Sequence, residues 1–363
     1  MTQRSLFGGE READARVQRF RPERLVLARE ARGLQKKELA DRVDLTPSAI
    51  SQIELGKIRP TSETLLRLAL TLRVRPEFFS AAPPALIAAE NCHFRRLRSA
   101  TQTEQRRVRA SGALILEVVE QLEQLAELPA EAITALAAHV ESRDDVEALA
   151  ERVREEWGLG QGPISNMVAL LERRGVLPVE IEGHSERLDA FSVWAERRPM
   201  VFLATEKGSA SRRRFDAAHE LGHLLMHVDV SAGDGALENQ ADAFASALLL
   251  PRTSFAAECP RRLSWPQLLE LKRRWKVSLA AMVRRAYDLG IYSEATYRRG
   301  YMQLNKRGWR ENEPEEPPME RPQVLREVVQ LLEGAGYPRA RIAESVHLHT
   351  PDLERLLLLP VSR

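Results

Sequence analysis

Ala217-Ala218-His219-Glu220-Leu221-Gly222-His223-Leu224-Leu225-Met226 reads as a buried helix carrying two histidines one turn apart on the same face. Imidazoles at that spacing can hold one Zn²⁺, and Glu220 beside them can serve as a general base toward water. A catalytic zinc site takes a third protein ligand and keeps one position open. Glu238, fifteen residues beyond His223, leaves enough chain to turn back and supply that ligand. Asp242 follows one helical turn later, on the face where a carboxylate can accept a hydrogen bond from a ligating histidine. Both pieces have apolar flanks, including Ala241, Phe244 and Ala245, and a buried unpaired charge is costly. A metal supplies the reason for the polar groups. His227 continues the four-residue series, but eight residues of helix span about 12 Å, too far for one ion. It therefore reads as a residue of the helix end or the pocket rim.

Working outward, the chain has 363 residues, which suggests two or three domains, and 44% hydrophobic residues, enough for real cores. No apolar run approaches the ~20 residues of a membrane span, and the polar stretch from Met1 to Phe20 lacks the apolar core of a secretory signal. Cys92 and Cys259 are expected to be reduced, unpaired thiols, and the whole to be cytoplasmic and nucleoid-associated, with no membrane partner. His93 is isolated and reads as structural. Net charge is +2 but uneven. From Arg19 to Arg75 there are thirteen Lys/Arg against seven Asp/Glu, and from Arg95 to Arg109 six Arg against one Glu. A basic front end points to double-stranded DNA.

Residues 22–80 read as a small all-α bundle after a flexible tail, 1–21. Gly33 breaks the first helix, and 36–43 makes a second with Leu39, Ala40 and Val43 inward. After a turn at 44–46, Thr46 can cap a third helix with Pro47 in its first position. Gly56 ends that helix, and a fourth follows from Ser62 to Leu72. This is a helix-turn-helix pattern. With Ile50 and Ile53 inward, Pro47, Ser48, Ser51 and Gln52 face base edges, while Lys36, Lys57 and Arg59 suit phosphates. The run Ala40, Val43, Leu45-Thr46-Pro47, Ile50-Ser51, Ile53-Glu54, Gly56, Arg59-Pro60 closely resembles the XRE (Cro/repressor-like) family. Members often carry Gln where this chain has Lys36.

Residues 81–143 form a helical connector. The stripe Leu114, Leu116, Val119, Leu122 and Leu125 on a helix from about Gln102 to Leu128 suits either an interdomain core or a dimer seam. The next region, 144–310, predicts helices to residue 174 with a turn at Gly158–Pro163. Strands follow at Val176–Ile181, Ala190–Trp194 and Met200–Ala204. A sheet edge beside the histidine helix can hold a peptide as an added strand. From about 93 to 310 the chain resembles the ImmA/IrrE family of metallopeptidases. Matching residues include Trp157-Gly158-Leu159-Gly160, Leu188-Asp189-Ala190-Phe191-Ser192, Arg214-Phe215, His219 to His223, Glu238, Phe244, Pro251, Trp275 and Gly308-Trp309-Arg310. The resemblance implies a minimal gluzincin-like domain with His219, His223 and Glu238 as ligands and Glu220 as base. Asp242 stands where many relatives have Asn. An acidic, Pro-rich linker, 311–322, leads to a helical region, 323–363, that is possibly helix-turn-helix-like. There Ile342, Ala343, Val346, Leu348 and Leu353 echo Leu39, Ala40, Val43, Leu45 and Ile50 at a constant offset of 303. A bundle that contacts protein is the favoured reading.

The expected fold is mainly α with a small β-sheet. The expected function is a homodimeric, operator-binding transcriptional regulator whose zinc metallopeptidase domain cleaves a repressor or antitoxin-like protein. The alternative is a transcription factor whose zinc domain is a non-proteolytic sensor or scaffold.

Overall fold

The computed structural model describes residues 17–83, 101–181, 190–195, 198–205, 209–227 and 235–360. Cys92, His93 and Arg95–Arg98 lie outside them. The architecture is mainly α with one three-stranded mixed sheet.

The first bundle contains α1 (Pro22–Ala31), α2 (Lys36–Val43), α3 (Pro47–Glu54) and α4 (Ser62–Leu72). Its boundaries follow from local chemistry. Gln35 and Glu38 form a reciprocal capping box at the start of α2. Asp44 ends that helix in the left-handed region at φ 57°, which a short polar side chain tolerates. The Thr46 hydroxyl accepts from Ala49 N at 3.1 Å, with Pro47 in the first turn of α3. Leu25, Leu39, Ile50, Leu68 and Leu72 fill the interior. Within it Arg29 pairs with Glu54 at 2.5 Å.

α5 (Gln102–Leu125) is the spine of the molecule. Arg24 of α1 lies 3.9 Å over the Phe78 ring and ion-pairs with Glu117, which docks the bundle on this helix. The stripe of α5, including Val108, Ile115, Val119 and Leu122, shares one core with the first bundle, the sheet and the C-terminal helices. Of the stripe named from the sequence, Leu114, Leu116, Val119 and Leu122 are buried in this core and Leu125 is exposed, so α5 serves as an interdomain core element.

The second core is built from α6 (Arg143–Glu156), α7 (Met167–Arg173), β2 (Ala190–Ala195), β3 (Arg198–Ala204), α8 (Ala210–Met226), α9 (Gly235–Leu249), α10 (Arg252–Glu258), α11 (Trp265–Trp275), α12 (Leu279–Asp288) and α13 (Glu294–Lys306), while β1 (Leu177–Ile181) gives Leu177, Val179 and Ile181 to the first. Strand order is β1-β3-β2, with β1 parallel and β2 antiparallel to β3. The sheet is a wall between the two cores. Phe191, Val193 and Phe202 belong to the α5 side, while Val201 and Leu203 belong to the α8 side. Period-two alternation therefore sends Ser192 toward α8.

Residues 311–323, acidic and Pro-rich, are an ordered strap. Glu313 accepts from Lys272 Nζ at 2.7 Å and from Leu279 N at 2.8 Å. Glu316 accepts from Lys272 Nζ at 2.6 Å and from Ser211 N at 2.9 Å. Glu320 pairs with Arg214 and accepts from Met167 N at 2.7 Å. Carboxylates over helix N-termini and buried cations explain the acidity of this linker.

The C-terminal bundle, α14 (Val324–Gly334), α15 (Arg339–Ser345) and α16 (Thr350–Leu356), repeats the plan of α1–α3. At the same offset of 303, Gly336 (φ 83°) stands for Gly33 (φ 68°), and His347 (φ 57°) for Asp44 (φ 57°). The bond Leu348 N to Ala343 O, 2.8 Å, repeats Leu45 N to Ala40 O, 2.9 Å. Leu332 and Leu357 replace the Arg29–Glu54 ion pair. This bundle packs on the first through a Val74–Leu348 bridge, Arg32–Asp352 at 2.8 Å and Arg75–Glu344 at 2.7 Å.

Candidate metal centre and nucleic-acid face

The candidate donors lie where α8 packs against α9. A Cβ on Gly222 would stand 3.0 Å from the Phe244 ring, tighter than ordinary contact, so glycine here eases the approach of the two helices. The far end of α9 is anchored by buried arginines. Arg154 donates to Leu248 O at 2.5 Å and Arg285 Nε to Leu250 O at 3.0 Å, supplying cations and donors to carbonyls that a helix end leaves unpaired. Together these fix Glu238 against the histidines.

His219 Nε2 and His223 Nε2 lie 3.0 Å apart. Glu238 Oε2 is 3.4 Å from the first and Glu238 Oε1 3.7 Å from the second. A tetrahedron with ~2.1 Å bonds has edges of ~3.4 Å, so the three donors fit one small cation. Two imidazole nitrogens that face each other this closely gain from a shared cation. Two nitrogens and one carboxylate oxygen are a donor set that suits zinc in an open site. Asp242 Oδ1 stands 2.9 Å from His219 Nδ1. Burial alone would lower the basicity of His219, but hydrogen bonds to Asp242 and Glu238 outweigh it and push its pKa up to about 10. A metal would take the place of that proton.

Glu220 is buried and accepts from Ser192 Oγ at 2.7 Å. Burial pushes its carboxyl up to about 7, against the opposing pull of His219 and Ser192. A cavity of about 750 Å³ opens over His219 and Glu220, bordered by Ala190, Phe215, Arg284 and Tyr301. His227 does not border it. It caps α8 and is 2% exposed, with Nδ1 2.9 Å from His223 Nδ1. Ser192 and Gly222 carry roles that the sequence did not assign. Their signals were a hydroxyl between Phe191 and Val193 in a buried strand, and a glycine inside a helix. Cys259 is a free buried thiol, pushed up to about 11 by burial, as suits an inert cysteine.

Asp242→Ala is expected to weaken zinc binding roughly ten- to a hundredfold, as loss of a histidine's hydrogen-bond partner does. Chelator competition measures it, and an unchanged Kd would make Asp242 a purely structural residue.

On the first bundle, Pro47, Ser48, Gln52, Lys57 and Arg59 are exposed along and just beyond α3. Lys36, at the start of α2, is partly exposed and also contacts α3. Its Nζ donates to Ser51 Oγ at 3.1 Å and meets Glu54 at 3.1 Å. The pair thus ties α2 to α3, leaving Gln52 and Ser48 as the open polar groups of the face. The C-terminal bundle docks through Arg32 and Arg75, so it leaves these residues uncovered.

Two stretches match known families. Residues 25–79 match the helix-turn-helix family, and residues 171–287 match the family of the IrrE N-terminal-like domain, peptidase M78. The first match covers α1–α4; the second runs from α7 into α12 and contains the sheet and every residue of the metal site. No helix among the described residues is long and apolar enough to cross a membrane.

Proposed function

From a chain that joins an XRE-type helix-turn-helix domain to an IrrE/ImmA-like metallopeptidase domain, we propose a DNA-binding regulator whose zinc centre hydrolyses a regulatory protein, a repressor or antitoxin. The observation that carries this reading is Glu220, held by Ser192 at the floor of a peptide-sized cavity beside the His219, His223 and Glu238 donors. Zinc, when bound there, supplies a Lewis acid that polarises the scissile carbonyl. Glu220 takes a proton from the attacking water and delivers it to the departing amine, a task suited to a carboxyl raised toward neutrality. Ser192 keeps that carboxyl aimed into the cavity. The substrate lies along β2, the sheet edge that packs on α8, so its backbone is aligned over Glu220.

The reader works as a pair on a palindromic operator. Leu66 and Leu70, one turn apart on α4 and both exposed, are the apolar contact between copies. The C-terminal bundle is a contact module and not a second reader. Where α3 presents Ser48, Ser51 and Gln52, α16 has Pro351, Glu354 and Arg355, and Glu354 is buried against Arg339.

Two experiments test the halves. For the peptidase, new protein N-termini are mapped after zinc-loaded protein is added to an extract of its own cells. Termini that appear with wild type and not with Glu220→Gln support cleavage, whereas identical maps favour a sensor. For the reader, Gln52→Ala should flatten the base preferences selected from a random duplex pool, while Lys57→Ala should weaken all sequences alike and reduce the salt slope by about 1. Unchanged preferences in Gln52→Ala would refute the assigned reading face.

A further inference from the structure

His219 and His223 are supported by different chemistry. His219 leans on a carboxylate that is partly open to solvent, Asp242. His223, 1% exposed, leans on another histidine. The chain of contacts then continues. His227 Nε2 lies 2.9 Å from Gln240 Oε1, and Gln240 Nε2 donates to Val140 O at 3.2 Å.

One assignment of protons satisfies all of these contacts. If His223 Nε2 offers its lone pair to the metal, its proton sits on Nδ1 and is donated to His227 Nδ1. His227 Nδ1 must then be the acceptor, so its proton sits on Nε2 and is donated to Gln240 Oε1. That fixes the Gln240 amide with its nitrogen toward Val140 O, as found. The relay ends on a backbone carbonyl, an acceptor that cannot change. His227 itself cannot be a fourth ligand, because the nitrogen nearer the site is turned onto His223 Nδ1. Neutrality has a reason too. Glu220, Glu238 and Asp242 already bring three carboxylates to one ion, and a fourth beside His223 would add an uncompensated buried charge.

We propose that His227 is a positioning residue for the metal centre. Through the Gln240–Val140 relay it holds His223 in the tautomer and ring orientation that presents Nε2 to zinc. The proposal rests on the zinc-site reading above and adds a residue to it.

The test uses the full-length chain and zinc alone, with affinity from chelator competition and site geometry from the visible spectrum of the Co²⁺-substituted protein. His227→Leu removes the acceptor and should weaken zinc roughly ten- to a hundredfold, with altered Co²⁺ bands. His227→Asn places an amide oxygen near the position of Nδ1 and should restore affinity to within a few-fold of wild type. Gln240→Leu, which leaves the imidazole in place but frees its tautomer, should also weaken binding. That variant decides the matter should His227→Leu fail to fold. Wild-type affinity and spectrum in His227→Leu, or in Gln240→Leu, would overturn the relay. So would an affinity loss in His227→Leu that His227→Asn does not rescue, since His227 would then be only a filler of space. If the wild-type chain binds no zinc, the metal-site reading itself has failed, a result distinguishable from failure of the relay alone.

Discussion

Glu220→Gln is expected to leave one zinc per chain in place while hydrolysis falls by about 10²–10⁴-fold, the range that a positioned general base contributes. The amide keeps the size of the side chain and can still meet the Ser192 hydroxyl, so the cavity and the three donors are undisturbed. It cannot take a proton. Ser192→Ala should produce a smaller loss by the same route, since it removes only the bond that aims the carboxyl. Metal content by atomic emission, measured on the same samples as turnover, separates the two effects. Zinc lost together with activity would mean that Glu220 supports the site's structure and is not its base.

The candidate donor cluster was legible because helical spacing is rigid. Two histidines four apart face the same way in any helix, and so do Glu238 and Asp242, so the sequence could place all four together, and Asp242 Oδ1 does lie 2.9 Å from His219 Nδ1. The strands were legible by β-branched content, to within a residue or two. What escaped depends on elements far apart in the chain. Ser192 reaches Glu220 across 28 residues, and Gln240 reaches Val140 across 100. No local pattern encodes such a meeting. The contacts of Lys36 within the bundle were unreadable for a related reason. Its Nζ meets the buried carboxylate of Glu54, already shared with Arg29, on the neighbouring helix. The strap escaped because free acidic linkers and bound acidic straps have the same composition. Only the partners Lys272, Arg214 and Ser211 tell them apart.

Lys272→Met should lower the stability of the folded chain by about 3–5 kcal/mol, the cost of breaking a buried ion pair from one side. Lys272 is fully buried, and its ammonium is shared by Glu313 and Glu316, of which Glu313 is almost as deeply enclosed. The methionine fills the space but leaves Glu313 without its counter-ion. Urea unfolding measures the loss, and hydrogen exchange should quicken at Ser211 and Leu279, whose amides the strap covers. Adding Glu313→Gln and Glu316→Gln should return much of the stability. Unchanged stability in Lys272→Met would show that the strap contributes little to the fold.

The docking of the last bundle on the first also sets a timetable for synthesis. The reader emerges first, but the flank formed by Arg32, Val74 and Arg75 meets its cover only when residues beyond 325 have been made, about 250 residues later. At ~5–20 residues per second the ribosome needs roughly 10–50 s for that distance. Throughout that interval the helix-turn-helix bundle is present on a nascent chain with an open flank, and for most of it the metallopeptidase-like domain behind it is incomplete. Early termination would therefore release a reader freed from everything its partner bundle holds in place, with Arg32 and Arg75 stripped of their partners Asp352 and Glu344.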